Sequence, residues 1–274
     1  MGAQTVRAAV IGVAGRMGQR IISVIAGTEG ITLAGALERP DHPLLGHEVY
    51  APDGGGGTGI VLTDDLPSVL PHVDVVIDFS EAKSTLATIE PIAAHKKAVV
   101  IGTTGLSVLE MEQLQRRLEG LRSVVAPNMS IGVNLMFKVA DIVGRVLRDD
   151  FDVEIVEAHH RMKKDAPSGT ALRLARIVAE SRGADIEEVG VYGRKGIVGE
   201  REAREIGIHA VRGGDIVGEH TVLFAGRGER FEITHRAHSR DTFAGGAVRA
   251  ALWVVDQPPG MYGMEDVLGF RDRS

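Results

Sequence analysis

Residues 157–171 read Glu-Ala-His-His-Arg-Met-Lys-Lys-Asp-Ala-Pro-Ser-Gly-Thr-Ala. His159 and His160 carry imidazoles, which exchange protons near neutral pH. Lys163 and Lys164 add ammonium groups able to hold carboxylates, and Asp165 adds a counter-charge. Pro167-Ser168-Gly169-Thr170 has the composition of a turn that opens a helix, and the first N–H groups of a helix attract anions. This density of groups fits a site for a small acidic substrate that gains or loses a proton. Adjacent histidines on a strand face opposite sides, so one metal ion would rarely take both, and no metal is expected. Ser168 lacks the G-x-S-x-G elbow of a nucleophile and reads better as an N-cap. Asp165 reads as a cap or brace of the same turn.

A second group of residues points to a dinucleotide. Gly12-Val13-Ala14-Gly15-Arg16-Met17-Gly18 follows a short apolar run and precedes helical spacing. Glycines there would allow the tight turn, the approach to a pyrophosphate and the contact of helix with strand. Ala14 stands where a second glycine is frequent, and the motif alone also fits a turn that binds nothing. Glu38, at the end of the next strand, is placed to accept from ribose hydroxyls, and Arg39 beside it to meet a 2′-phosphate. NADH or NADPH is therefore the expected cofactor. Gly102-Thr103-Thr104 and Ala126-Pro127-Asn128-Met129 end two later strands and suit a nicotinamide ribose and amide, although each also fits an ordinary turn.

The elements that must position these residues follow from periodicity. Val6–Ile11, Ile31–Leu37, Val73–Phe79, Ala98–Ile101 and Val124–Ala126 are apolar runs, as in a parallel sheet covered on both faces. Helical stretches near Lys83–Ala94 and Ser107–Leu121 alternate with them. After residue 130 the pattern changes. A helix is expected over Asn134–Leu147, a half-exposed strand over Phe151–Ala158 and a helix over Thr170–Arg182. Three strands read as antiparallel follow, at Glu205–Val211, His220–Ala225 and Arg230–His235. The small residues of Thr242–Val254 suit a closely packed last helix. The expected fold class is α/β: an N-terminal Rossmann-like doubly wound domain plus a C-terminal α+β domain with an open mixed sheet. The expected boundaries are 1–130 for the dinucleotide-binding domain, 131–240 for substrate binding and oligomerisation, and 241–274 for a segment returning to the first domain. Gly54–Gly57 reads as a surface loop without an assigned role.

Composition narrows the class. The chain has 274 residues, 44% hydrophobic and 25% charged, with a formal net charge of −6 and no cysteine. The charge disfavours a nucleic-acid partner. The lack of cysteine removes disulfides and thiolate chemistry and fits a reducing compartment. No apolar run approaches the roughly 20 residues of a membrane span. Met1–Arg7 lacks the apolar core of a signal peptide, so a cytoplasmic location is expected.

The 157–171 stretch resembles the signature of the 4-hydroxy-tetrahydrodipicolinate reductase (dihydrodipicolinate reductase) family, E-x-H-H-x-x-K-x-D-x-P-S-G-T-A. The resemblance extends to Gly15-Arg16-Met17-Gly18, Gly102-Thr103-Thr104-Gly105, Asn128–Asn134 and Ser239–Ala244. It implies NAD(P)H-dependent reduction of a cyclic dicarboxylate with loss of water, in diaminopimelate and lysine biosynthesis. His159 would be the general acid/base and Lys163 the second proton donor, while His160, Gly169 and Thr170 would bind substrate carboxylates. It further implies a homotetramer and hinges near 127–130 and 239–242, whose closure would bring His159 and Lys163 towards the nicotinamide. Two other readings compete. An acylating semialdehyde dehydrogenase needs a cysteine nucleophile. A non-catalytic dinucleotide-sensing regulator would not need the His-His-x-x-Lys cluster.

Overall fold

A computed structural model describes residues 5–51 and 56–270. The chain divides into two compact units, Met1–Ile131 with Arg240–Ser274, and Gly132–Ser239.

The first unit is built on strands β1 (Val6–Ile11), β2 (Ile31–Leu37), β3 (Glu48–Tyr50), β4 (Gly57–Thr63), β5 (Val75–Asp78), β6 (Ala98–Ile101) and β7 (Arg122–Val125), joined near the C-terminus by β13 (Gly260–Tyr262). Their order in the sheet is β13-β7-β6-β5-β1-β2-β4-β3. All neighbours are parallel except β3 and β4. The central strands are apolar on both faces because both are covered. Ala8 and Val10 of β1 enter one core with Ile21, Ile22 and Ile25 of helix α1 (Arg16–Ala26), and with Ala247, Ala251 and Val254 of helix α8 (Asp241–Val254). Ala9 and Ile11 enter the opposite core with Ile89 and Ile92 of α3 (Ala82–Ala94) and Leu114 of α4 (Val108–Arg117). Each fully buried Ile contributes roughly 1.5–3 kcal/mol. Short helices α2 (Leu66–Val69) and α9 (Met264–Val267) complete the unit. The strand order reverses direction at β1, so the crevice beyond the carboxyl ends of β1 and β5 is the place where such sheets bind ligands.

The second unit sets β8 (Asp152–His159), β9 (Gly190–Val191), β10 (Ile206–Arg212), β11 (Gly218–Ala225) and β12 (Arg230–Ala237) in the order β12-β11-β8-β10-β9. Helices α5 (Ile131–Leu147), α6 (Gly169–Ser181) and α7 (Ile186–Val189) accompany it. Strand β8 is central, and its burial alternates strictly, with Val153, Ile155, Glu157 and His159 on the buried face.

The structure departs from the periodicity reading in the 38–73 region and in the direction of β10. The 38–73 region contains the β3–β4 pair, so the apolar run at 73–79 is the fifth strand and not the third. Strand β4 carries Gly57 and Gly59 and is mostly unburied, which left it without an apolar signal. Gly54 and Gly55 lie outside the described residues. Strand β10 runs parallel to β8 and β9, not antiparallel, because β8 inserts between β10 and β11. The sheet is mixed, as expected, with the β8–β11 and β11–β12 pairs antiparallel and the other pairs parallel.

The small residues of α8 let it lie on the chain leaving β7. A Cβ at Gly246 would stand 1.7 Å from the Met129 carbonyl oxygen, whereas one at Gly245 meets nothing within 4 Å. Gly246→Ala is therefore expected to lower unfolding free energy by about 1–3 kcal/mol in urea titration. Gly245→Ala, which only gains helix propensity, is expected to raise it by up to about 1 kcal/mol.

Candidate active site

In the first unit the residues expected to hold a dinucleotide gather at the carboxyl ends of β1, β2, β6 and β7. Gly12 turns with φ +79°, and its N–H donates to the Leu37 carbonyl at 2.8 Å, tying the end of β1 to that of β2. A Cβ at Gly18 would lie 2.2 Å from the Gly12 carbonyl oxygen, so the first turn of α1 closes on the loop only with glycine there. Gly15 is the N-cap of α1, which has no side-chain cap and no acidic residue in its first turn. Its amino end offers N–H groups and a positive dipole to an anion. Glu38 Oε2 accepts from the Ala14 N–H at 3.0 Å and Oε1 from the Arg39 N–H at 3.1 Å. The carboxylate thus sits against the Gly-rich loop, with Arg16 and Arg39 exposed beside it. This arrangement fits a dinucleotide.

The turns after β5, β6 and β7 are braced by polar groups, the expected Thr103 and Asn128 among them, together with Asp78, Ser80 and Thr85, which the sequence reading did not single out. Asp78, fully buried, accepts from the Ser80 N–H at 2.8 Å, and Thr85 Oγ1 lies 2.7 Å from Thr103 Oγ1. Burial raises the Asp78 carboxyl above the ordinary carboxylate range, and hydrogen bonds from Ser80, Thr85 and Thr88 only partly oppose it. A Cβ at Gly102 would strike the Phe79 ring at 2.2 Å. Asn128 Oδ1 accepts from the Ser130 N–H at 2.9 Å. A polar cavity of about 270 Å³, lined by Thr5, Asp74, Lys97 and Arg122 among others, lies at the amino ends of the strands and away from these groups.

In the second unit, the 157–171 residues assemble where β8 ends and α6 begins. Glu157 is fully buried and His159 nearly so. Glu157 Oε2 lies 2.6 Å from His159 Nδ1. Arg212, at the end of β10, donates to both carboxylate oxygens at 2.8 Å, and the Ser168 N–H donates to Oε1 at 2.9 Å. Burial alone would raise the Glu157 carboxyl, but bonds from Arg212, His159 and Ser168 overcome it and hold the group below its ordinary value. An ionised carboxylate only accepts, so the His159 Nδ1 is the donor. Burial pushes the His159 imidazole down, Glu157 pushes it back up, and the charges of Lys163 and Arg212 lower it, with a net fall.

Ser168 caps α6 by accepting from the Ala171 N–H at 3.2 Å, and its Oγ lies 3.1 Å from His220 Nε2. The rings of His159 and His220 meet edge to face at 5.2 Å. Lys163 Nζ pairs with Asp165 Oδ1 at 2.9 Å, and Arg212 also donates to the Asp165 carbonyl at 2.7 Å. His160 lies just past the strand and accepts the Lys163 N–H at 3.1 Å through its carbonyl. Gly169 and Thr170 are the first residues of α6, which carries no acid in its first turn. A site able to exchange a proton at His159 or Lys163 and to hold an anion at the α6 amino end is the result. Arg212 and His220 come from strands distant in sequence, and spacing within 157–171 held no sign of them. Among the described residues no three His, Cys, Asp or Glu are grouped to hold a metal, and no helix is long and apolar enough to cross a membrane.

Burial pushes His220 down to about 3, the His159 charge helping, and burial also lowers His235. An imidazole depressed by folding binds its proton more tightly in the unfolded chain. Its stabilisation is complete above the ordinary value of 6.5 and is lost as pH falls towards the folded value. Stability of the full chain is therefore expected to decline between about pH 6.5 and 5, by up to about 1.4 kcal/mol per unit for each such group. Denaturant titration across that window should show a shallower decline in His220→Gln, with His159 and His235 supplying the remainder. An unchanged slope would rule His220 out as a titrating group.

Both halves of the chain match known proteins. The family described as "Dihydrodipicolinate reductase, N-terminus" matches residues 6–129, and "Dihydrodipicolinate reductase, C-terminus" matches 132–268. The 4-hydroxy-tetrahydrodipicolinate reductase of Syntrophobacter fumaroxidans is 55% identical over 266 residues, 97% of this chain and 100% of that protein. That of Syntrophus aciditrophicus is 53% identical over 265 residues, covering 97% and 99%. Among solved structures, the dipicolinate-bound dihydrodipicolinate reductase of Paenisporosarcina sp. TG-14 superposes with a TM-score of 0.76 at 27% identity, over 96% of this chain and 99% of that one. An amine dehydrogenase from Mycobacterium smegmatis, at 17% identity and a TM-score of 0.56, shares the fold alone. With matches to both of its halves and close relatives along almost its whole length, the chain belongs to the dihydrodipicolinate reductase family.

Proposed function

We propose that this chain reduces 4-hydroxy-tetrahydrodipicolinate to tetrahydrodipicolinate, with loss of water, in diaminopimelate and lysine biosynthesis, His159 and Lys163 managing the protons. The observation that carries the assignment of roles is the buried Glu157–His159 pair beside Lys163 and the amino end of α6. Gly12–Met17, Glu38, Arg39, Gly102–Thr104 and Ala126–Met129 would hold NADH or NADPH, which would supply the hydride when bound. The reduced ring then needs a proton. The His159 imidazolium can give it from Nε2 while Nδ1 stays bonded to Glu157. Lys163, oriented by Asp165, is a second donor. His160 and the N–H groups of Gly169 and Thr170 bind the two carboxylates, since fixed hydrogen-bond donors are the groups that hold such anions. The reading also places the chain in the cytoplasm as a homotetramer, with exposed Val156 and Val211, on one face of neighbouring strands, among the apolar residues an interface would cover.

The assay supplies pyruvate and aspartate semialdehyde with the upstream synthase and follows NADH and NADPH absorbance in parallel. Oxidation of either coenzyme that depends on the synthase is expected, and its absence with both would sink the assignment. His159→Gln and Lys163→Ala are each expected to lower turnover roughly 10²-fold or more, the size of general acid/base effects. Arg39→Ala is expected to shift preference away from NADPH, and an unchanged NADH/NADPH ratio would show that Arg39 does not read the 2′-phosphate.

A further inference from the structure

We propose that Glu157, clamped by Arg212, is the positioning residue that fixes the tautomer of His159 and steadies its charged form. The inference rests on the reading of His159 as the general acid/base and adds to it the device that aims the ring. The geometry is specific. Glu157 and His159 are two apart on β8 and share its buried face, so the carboxylate lies beside the ring and bonds Nδ1 at 2.6 Å. Arg212 bonds both carboxylate oxygens from β10, at 2.8 Å each, and the Ser168 amide fixes Oε1 from the head of α6. A carboxylate held on both oxygens cannot rotate away from the imidazole.

Because Glu157 can only accept, neutral His159 carries its hydrogen on Nδ1 and presents a lone pair at Nε2. The charged ring presents an N–H there. Strand β11 leaves that end open: Gly218 lies beside it, and a Cβ there would stand 3.1 Å from Nε2. The groups facing His159 are Glu157 on its own strand, Lys163 from the following turn, Arg212 from β10 and His220 from β11. Asp165, on Lys163, moderates the nearest ammonium. Of these, Lys163 and Arg212 oppose the imidazolium and Glu157 supports it. Without the Glu157 charge the ring would be a poorer holder of a proton and free to turn.

The test uses the full-length chain as Glu157→Gln, His159→Gln and the double variant, with the cofactor affinity and melting transition of each as controls for folding. Glu157→Gln is expected to lower kcat about 10- to 100-fold while KM changes less than about threefold, a part of the roughly 10²–10⁴ available to general acid catalysis. The basic limb of its kcat profile moves to lower pH, since the support for the imidazolium is gone. The double variant is no slower than His159→Gln alone, because there is no ring left to position. Should Glu157→Gln fail to fold, Arg212→Lys keeps the charge but opens the bidentate clamp, and the same limb moves with a smaller loss of kcat. Wild-type kcat and pH profile in the folded variant, with His159→Gln impaired, would overturn the positioning role and leave the reading of His159 standing. Losses that multiply in the double variant would also overturn it, since they would mark a general loosening of the fold. An unimpaired His159→Gln would overturn the reading of His159 itself.

Discussion

A carboxylate taken wholly out of water organises the second unit. Removing a carboxylate from water costs several kcal/mol unless its oxygens are met by charge and hydrogen bonds. Glu157 is met by four: one from His159, two from Arg212 and one from the Ser168 amide. Those donors come from the end of β8, the end of β10 and the head of α6. The central strand pair, the motif turn and the anion-attracting helix end are therefore drawn to one point. Arg212 extends the constraint through the Asp165 carbonyl, and Asp165 in turn holds Lys163. Within the second unit, His159 and the head of α6 are one contact from that buried charge, and Lys163 is three, through Arg212 and Asp165.

The first unit contains a second buried carboxyl, and the contrast shows what the guanidinium does. Asp78 is as buried as Glu157, but its partners are an amide and hydroxyls. Neutral donors do not offset the loss of hydration, so its carboxyl is raised where that of Glu157 is lowered. Asp78 suits a brace, holding the turn of Ser80 near Thr85 and Thr103 without demanding a cation in the crevice. Glu157 has to stay ionised if it is to support an imidazolium, and Arg212 is the means. The same logic sets His220 apart from His159. Both rings are buried, but His220 faces a neutral hydroxyl and is driven to about 3, while His159 faces a carboxylate that resists the fall.

Much of this fold is written in local pattern, and the exceptions have physical reasons. Strands β1, β2, β5 and β6 are continuous apolar runs because helices cover both of their faces, and such runs need no partner to be seen. Strand β4 has one buried residue, Leu62, and two glycines, so its pairing with β2 and β3 is decided by backbone geometry that leaves little trace in side-chain type. Strand β13 is three residues long and is held by its place beside β7. The direction of β10 was also not local. Gly-rich turns on either side of a strand suggest hairpins, but β10 pairs with β8 across about fifty residues of chain, and that is set by which strand occupies the centre of the sheet.

For the site, the spacing of His159, Lys163, Ser168 and Gly169 is legible because turn and helix-start chemistry act over a few residues. Glu157 was half legible. Val153, Ile155, Glu157 and His159 have the same parity, so a strand that buries the first two must bury the others. Reading β8 as apolar on one face and acidic on the other hides this, because Glu154 follows that rule and Glu157 breaks it. Once Glu157 is placed inside, the cost of a buried charge requires a cation, and local sequence offers Lys163 and Arg161. The structure uses neither. It uses Arg212, 55 residues away, because β10 lies next to β8 and ends level with it, Arg212 opposite His159. Drawing the counter-charge from another strand leaves Lys163 paired with Asp165 and Arg212 paired with Glu157.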